Sequence, residues 1–121
     1  MAINSHLAET ETHIQRLEDC FKELGKKAKA EKCDAMDGLL EEGKGIMEET
    51  EVGAVRDAGI IAAAQKVEHY EIATYGTLAA FAKVLGHKKA LKLLLDTLKE
   101  EKQCDKTLSG LADTNLNSKA E

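Results

Sequence analysis

The chain has 121 residues, enough for one hydrophobic core and too few for two. It is 43% hydrophobic and 32% charged, with no proline and only four aromatic rings, a mix of Ala, Leu, Glu and Lys that favours helix and argues against strands. A net charge of −5 speaks against nucleic acid as a partner, and no apolar run is long enough to span a bilayer.

The opening MAINSHLAET lacks the apolar stretch of a signal peptide. Cys20, Cys33 and Cys104 are an odd number without CxxC spacing, which is the usage of free thiols in a reducing cytoplasm. A cytoplasmic location is therefore expected.

The first helix is expected over residues 5–24. Ile3, Leu7, Thr10, Ile14, Leu17, Phe21 and Leu24 recur at steps of four and three, the seam of a helix packed nearly parallel to its neighbours. Asn4 or Ser5 would cap its start and Gly25 its end. Lys26, Lys27, Lys29 and Lys32 then form the one basic cluster, which has no aromatic residues for base stacking and reads as a solvated linker.

Asp34 would cap a short second helix over 35–49, where Gly38, Gly43 and Gly45 each cost about 1 kcal/mol against alanine. The third helix, over 52–85 and closed by Gly86, carries the seam Asp57, Ile61, Ala64, Glu68, Glu71, Tyr75, Leu78, Ala82 and Leu85. The last, over 88–112, carries Leu91, Leu94, Leu98, Glu101, Asp105, Leu108 and Ala112. Residues 113–121 read as a loose polar tail, so the expected domain is 1–112. Gly76 falls inside the third helix, where close helix packing or a local π-bulge would account for it.

Glu68, Glu71, Glu101 and Asp105 thus occupy interior positions. Buried acids need partners, and several facing one another repel unless cations hold them. Two divalent ions would supply that charge, since carboxylate oxygens and imidazole suit iron, manganese or zinc. Glu68 and Glu71 at i, i+3, and Glu101 and Asp105 at i, i+4, lie on common helix faces about 5–6 Å apart. Glu9 and His13 would add an acid and an imidazole, although they stand at the seam's edge, where a solvated pair is the alternative. Tyr75 reads either as a hydrogen-bond partner of a ligand carboxylate or as a core-edge tyrosine. Cys104 reads as a packed thiol, His69 as a surface histidine, His6 as a helix-terminus residue and His87 as a loop residue.

The stretches HLAETETHIQRLEDCFKELG, CDAMDGLLEEG, RDAGIIAAAQKVEHYEIATYGTLAAFAKVLGH and LLLDTLKEEKQCDKTLSGLA resemble the YciF-like family of bacterial ferritin-like stress proteins over nearly the whole chain. The resemblance implies an all-α, ferritin-like helical bundle with a rubrerythrin-like di-metal centre. By position, Glu9 and His13 match the family's second-helix acid and histidine, Glu68 and Glu71 its third-helix ExxE, and Glu101 and Asp105 the acids of its last helix. Family members open with a further long helix that this chain lacks, which leaves three long helices and a short one. The apolar surface so uncovered would be closed by a homodimer or a domain-swapped oligomer.

Three functions remain open on these residues. The first is a di-iron or di-manganese oxidoreductase acting on dioxygen or peroxide. The second is a module that sequesters metal without turnover, and the third a helical assembly protein whose metal site went with the missing helix. No GxSxG elbow, phosphate-cradling glycine loop or HExxH motif points elsewhere, and no catalytic acid, base or nucleophile beyond the ligands is identified.

Overall fold

The computed structural model describes the backbone of residues 2–119 and the side chains of 4–114 and 117–119. The fold is all-α, as expected: α1 (Ala2–Glu23), α2 (Asp34–Glu49), α3 (Ala54–Leu85) and α4 (Lys88–Leu111). Helical backbone continues past Leu111 through a π turn, Ala112–Leu116, and a three-residue α5, Asn117–Lys119, so the described part of the expected loose tail is helical. Ala120 and Glu121 of that tail lie outside the described residues, as does the side chain of Ile3. No strand occurs among the described residues, and no helix there is long and apolar enough to cross a membrane.

Glycine closes α1 and α3 by one mechanism. Gly25 at φ +69° lets its own N–H donate to the Lys22 carbonyl and the Lys26 N–H to the Phe21 carbonyl. Gly86 at φ +77° repeats the pattern with the Lys83 and Ala82 carbonyls. This left-handed exit satisfies carbonyls that have no partner within the helix.

The helix starts differ from expectation. Asn4 and Ser5 lie inside α1, which begins at Ala2. The cap of α2 is Cys33, whose Sγ accepts the Met36 N–H at 3.5 Å, while Asp34 is the first helical residue.

Two compact units divide the chain. The first combines Met1–Glu31 with Glu71–Gln103. Its core is Cys20, Ala79, Ala82, Ala90 and Leu94, with Leu17, Tyr75, Leu91 and Leu93 packed against them. The inward line of α1 is not the expected apolar seam. His13 and Cys20 are buried, whereas Leu7, Ile14, Phe21 and Leu24 are exposed.

The second unit combines Lys32–Tyr70 with Cys104–Glu121. Ile61, Leu108 and Ala112 form its core, and Ala64 and the Cys104 thiol pack on it, as expected for that cysteine. α2 has no fully buried residue. It holds to α3 through backbone proximity: a Cβ on Gly59 would stand 2.7 Å from Ile46 Cγ2, and one on Gly43 3.5 Å from Ala63 Cβ. The Arg56 guanidinium donates to the Met47 and Thr50 carbonyls, satisfying the C-terminal end of α2. At Gly76 a Cβ would meet nothing and α3 is regular there, so neither close packing nor a π-bulge explains that glycine.

Candidate metal centre

In the first unit the polar interior is built from α1 and α4. Their facing sides bring His13 and Arg16, one turn apart, against Thr97, Glu100 and Glu101. His13 is 3% exposed and Glu101 wholly buried. The His13 ring lies between two carboxylates, with Nε2 3.0 Å from Glu100 Oε1 and Nδ1 3.1 Å from Glu101 Oε1. Arg16 in turn grips Glu100 with both terminal nitrogens, at 2.8 and 3.1 Å, and donates to Thr97 Oγ1 at 3.2 Å. Such a two-point pairing fixes direction as well as charge.

From α3, Glu71 brings a carboxylate oxygen within 4.8 Å of one on Glu101. Tyr75, one turn further, meets the His13 ring edge to face at a centroid distance of 6.4 Å. Burial, with the Glu71 and Glu101 charges adding to it, pushes the Tyr75 hydroxyl up to about 12, so it stays protonated at any physiological pH.

His13 and Glu100 are shifted as well. Burial of His13 opposes its charged form, but hydrogen bonds and attraction from Glu101 and Glu100 outweigh it and raise its pKa. The Arg16 hydrogen bonds, aided by His13 and opposed by partial burial, hold Glu100 below the ordinary carboxylate range. Arg16 and Glu100 are thus a charged pair, and His13 is held between acids.

In the second unit Glu68 is 2% exposed, one turn before Glu71 on the same helix. One of its oxygens lies within 4.8 Å of the Cys104 sulfur. Asp105 has its own setting: it accepts from Gln65 Nε2 at 3.3 Å and pairs with the largely exposed His69 at 3.0 Å. Gln65 Nε2 also donates to Ser109 Oγ at 2.7 Å.

Of the six residues expected to bind metal, the first unit brings together His13, Glu71 and Glu101. Glu68 is buried at the adjacent helical turn, Glu9 pairs with His6 at 3.9 Å on its own helix, and Asp105 is engaged with Gln65 and His69. His69 is exposed, and Tyr75 packs against the core of the first unit with its ring on His13. Arg16, Thr97 and Glu100 went unpredicted. The available signal was the adjacent pair of acids at 100 and 101, which stand about 100° apart round the helix and can flank one partner from two sides.

A site of two close carboxylates and an imidazole fits a divalent first-row metal by the chemistry of its donors. Glu71 and Glu101 would supply oxygens, and His13 the nitrogen at Nδ1, the ring atom facing Glu101.

Comparison with known proteins places the chain in a family. The profile described as "Domain of unknown function (DUF892)" matches residues 1–121. The protein YciF of Escherichia coli (strain K12) is 54% identical over 121 residues, a match covering 99% of this chain and 73% of YciF. The crystal structure of that E. coli stress protein superposes with a TM-score of 0.90 at 52% identity, covering 96% of this chain and 74% of the other. YcfI of Rhodopseudomonas palustris, a proposed structural protein, superposes at 0.86 with 45% identity over 89% of this chain and 69% of its own. The chain belongs to the DUF892, YciF-like family.

Proposed function

We propose that this chain is a ferritin-like di-metal carboxylate protein, binding two iron or manganese ions for a cytoplasmic stress response like that named for its E. coli relative. The observation that supports this reading is the buried Glu101 carboxylate, which has Glu71 within 4.8 Å and His13 Nδ1 at 3.1 Å. Two ionised carboxylates so close repel one another, and a divalent cation between them reverses the sign. Glu68, three residues before Glu71 on α3, and Glu9 and Asp105 complete the proposed ligand set. When bound, the metals would supply redox chemistry with dioxygen or peroxide. The protein's own part is to hold the ligands and keep the Tyr75 hydroxyl protonated beside them.

Metal content after reconstitution with iron(II) or manganese(II) tests the reading. About two ions per chain, lost in a Glu68→Ala, Glu71→Ala double variant, are expected. Turnover of peroxide by the loaded protein then separates an oxidoreductase from a sequestering module.

A second reading has an observation of its own. His13 lies between Glu100 and Glu101, and when protonated it brings positive charge to both, which allows a structural polar core without metal. Absence of bound metal after reconstitution would favour that helical assembly protein.

We also propose that the chain pairs with a second copy, as a homodimer or by domain swapping. Support comes from the apolar groove of the first unit, a cavity of about 240 Å³ lined by Leu17, Phe21, Leu24, Phe81, Leu85 and Leu94 among others. Exposed apolar surface of this kind is usually covered by protein.

A further inference from the structure

The His13 ring can be held only by what its two nitrogens meet, because an imidazole rotates about two bonds and offers two different donor atoms. Nε2 meets Glu100 at 3.0 Å, and Glu100 does not move freely: both of its oxygens are taken by the Arg16 guanidinium, which is itself tied to Thr97. Arg16 stands one turn from His13 on α1, and Thr97 and Glu100 one turn apart on α4, so four side chains on two helices are joined in one chain of hydrogen bonds, His13 to Glu100 to Arg16 to Thr97. Glu100 is an acceptor there, and the hydrogen in that contact therefore sits on His13 Nε2. The other nitrogen, Nδ1, meets the buried Glu101 oxygen at 3.1 Å, and any proton it shares with that carboxylate is the one a cation would displace.

We infer that Arg16 and Glu100 form a clamp that fixes the His13 ring with Nε2–H toward the rim and Nδ1 toward Glu101, making both clamp residues positioning residues for a divalent cation bound through Nδ1. This rests on the proposed metal reading and adds to it the ligand atom of His13 and the residues that select it. Neither Arg16 nor Glu100 touches the cation. Glu100, although adjacent to Glu101, faces the Arg16 side of the imidazole and is committed to two hydrogen-bond partners. The arrangement is of the carboxylate–histidine–metal kind, in which the outer carboxylate sets the tautomer and loss of that partner costs about 10–100-fold in metal affinity. It also favours cations that accept nitrogen, such as zinc, manganese or iron, over magnesium and calcium, which take oxygen alone.

The test uses zinc(II) alone as the probe, with calorimetric titration and nitrogen-15 spectra of the histidine ring in the full chain. The expected wild-type spectrum has a protonated Nε2 in the metal-free protein and a perturbed Nδ1 on adding zinc. Glu100→Ala should weaken zinc binding by about 10–100-fold and abolish the ordered Nε2 proton signal. Glu100→Gln keeps an oxygen that accepts the Nε2 proton, and should recover most of the lost affinity and the signal, a rescue that mere damage to the fold would not give. Magnesium should bind the wild type and Glu100→Ala equally weakly. Zinc affinity unchanged in Glu100→Ala, or zinc perturbing Nε2 in the wild type, would overturn the clamp while leaving the metal reading intact. A wild type that binds no zinc, iron or manganese would instead sink the metal reading and, with it, the assignment of Nδ1 as a ligand.

Discussion

His13 shows how a single side chain takes its properties from the groups around it. It faces Glu100 and Glu101 from α4, Tyr75 lies beside it on α3, Glu71 stands within 4.8 Å of Glu101, and Arg16 follows one turn later on α1. Burial disfavours its charge, but the two acids prevail, so the folded chain binds the His13 proton more tightly than the ordinary value of 6.5. Its contribution to stability is complete below that unfolded value and is lost as pH rises through the higher folded one. Glu100, held down chiefly by Arg16, behaves oppositely: its contribution is present above the ordinary value of 4.5 and is lost as pH falls through the lowered folded one. Both are intact together at about pH 5–6. Metal-free protein should therefore melt at a higher temperature at pH 5.5 than at pH 8, and His13→Gln should remove most of that difference. Equal pH dependence in the variant, followed by circular dichroism, would contradict the pairing.

The burial of His13 was not legible in the apolar pattern of α1. Heptad reading assumes that the most apolar line faces inward, and it puts Leu7, Ile14 and Phe21 there. Instead the line one residue earlier, containing His13 and Cys20, is buried, about 100° round the helix. The partners responsible, Glu100 and Glu101, are more than eighty residues away, and no periodicity within α1 reports them. Glu68, Glu71 and Glu101 were readable because their own helices continue an apolar seam through them.

At the scale of elements, the ends of α1 and α3 follow from Gly25 and Gly86, and the seam of α4 holds at Leu94, Glu101, Leu108 and Ala112, all buried. α2 is the helix that local propensity supports least. It stands because Gly59 lets Ile46 approach α3, a relation between two segments that neither segment displays alone. Two glycine substitutions should consequently have opposite signs. Gly59→Ala forces a Cβ to within 2.7 Å of the Ile46 methyl group, whose branched side chain has little freedom in a helix. It should destabilise by about 1–3 kcal/mol, reduced somewhat by alanine's better helix propensity. Gly45→Ala meets open space and should stabilise by up to about 1 kcal/mol. Urea denaturation that ranks Gly59→Ala at or above the wild type would mean that the α2–α3 approach is looser than described.

Over the whole molecule, the balance of apolar surface is unusual. Phe81 is 59% exposed and Val84 85%, beside the groove that Leu24 and Leu85 help line. The proposed second copy would remove this surface from water, at roughly 25 cal/mol for each Å² covered. Light scattering after size-exclusion chromatography should give a dimer mass at micromolar concentration, and Phe21→Glu with Phe81→Glu should give a monomer that keeps its helical spectrum. A well-folded wild-type monomer at that concentration would sink the pairing. The family of the chain, its all-α class and its four main helices were all readable from sequence. The clamp around His13 and the separate engagement of Asp105 were not, because they depend on which side of each helix faces which neighbour.

The proposed metal centre is tested most directly by crystals of manganese-reconstituted protein, with anomalous difference maps recorded above and below the manganese absorption edge. Two peaks are expected beside Glu71 and Glu101, the nearer to His13 on the Nδ1 side of its ring. Maps without a peak there, from crystals grown and soaked in excess manganese, would contradict it and leave His13 as the cation that holds these carboxylates together.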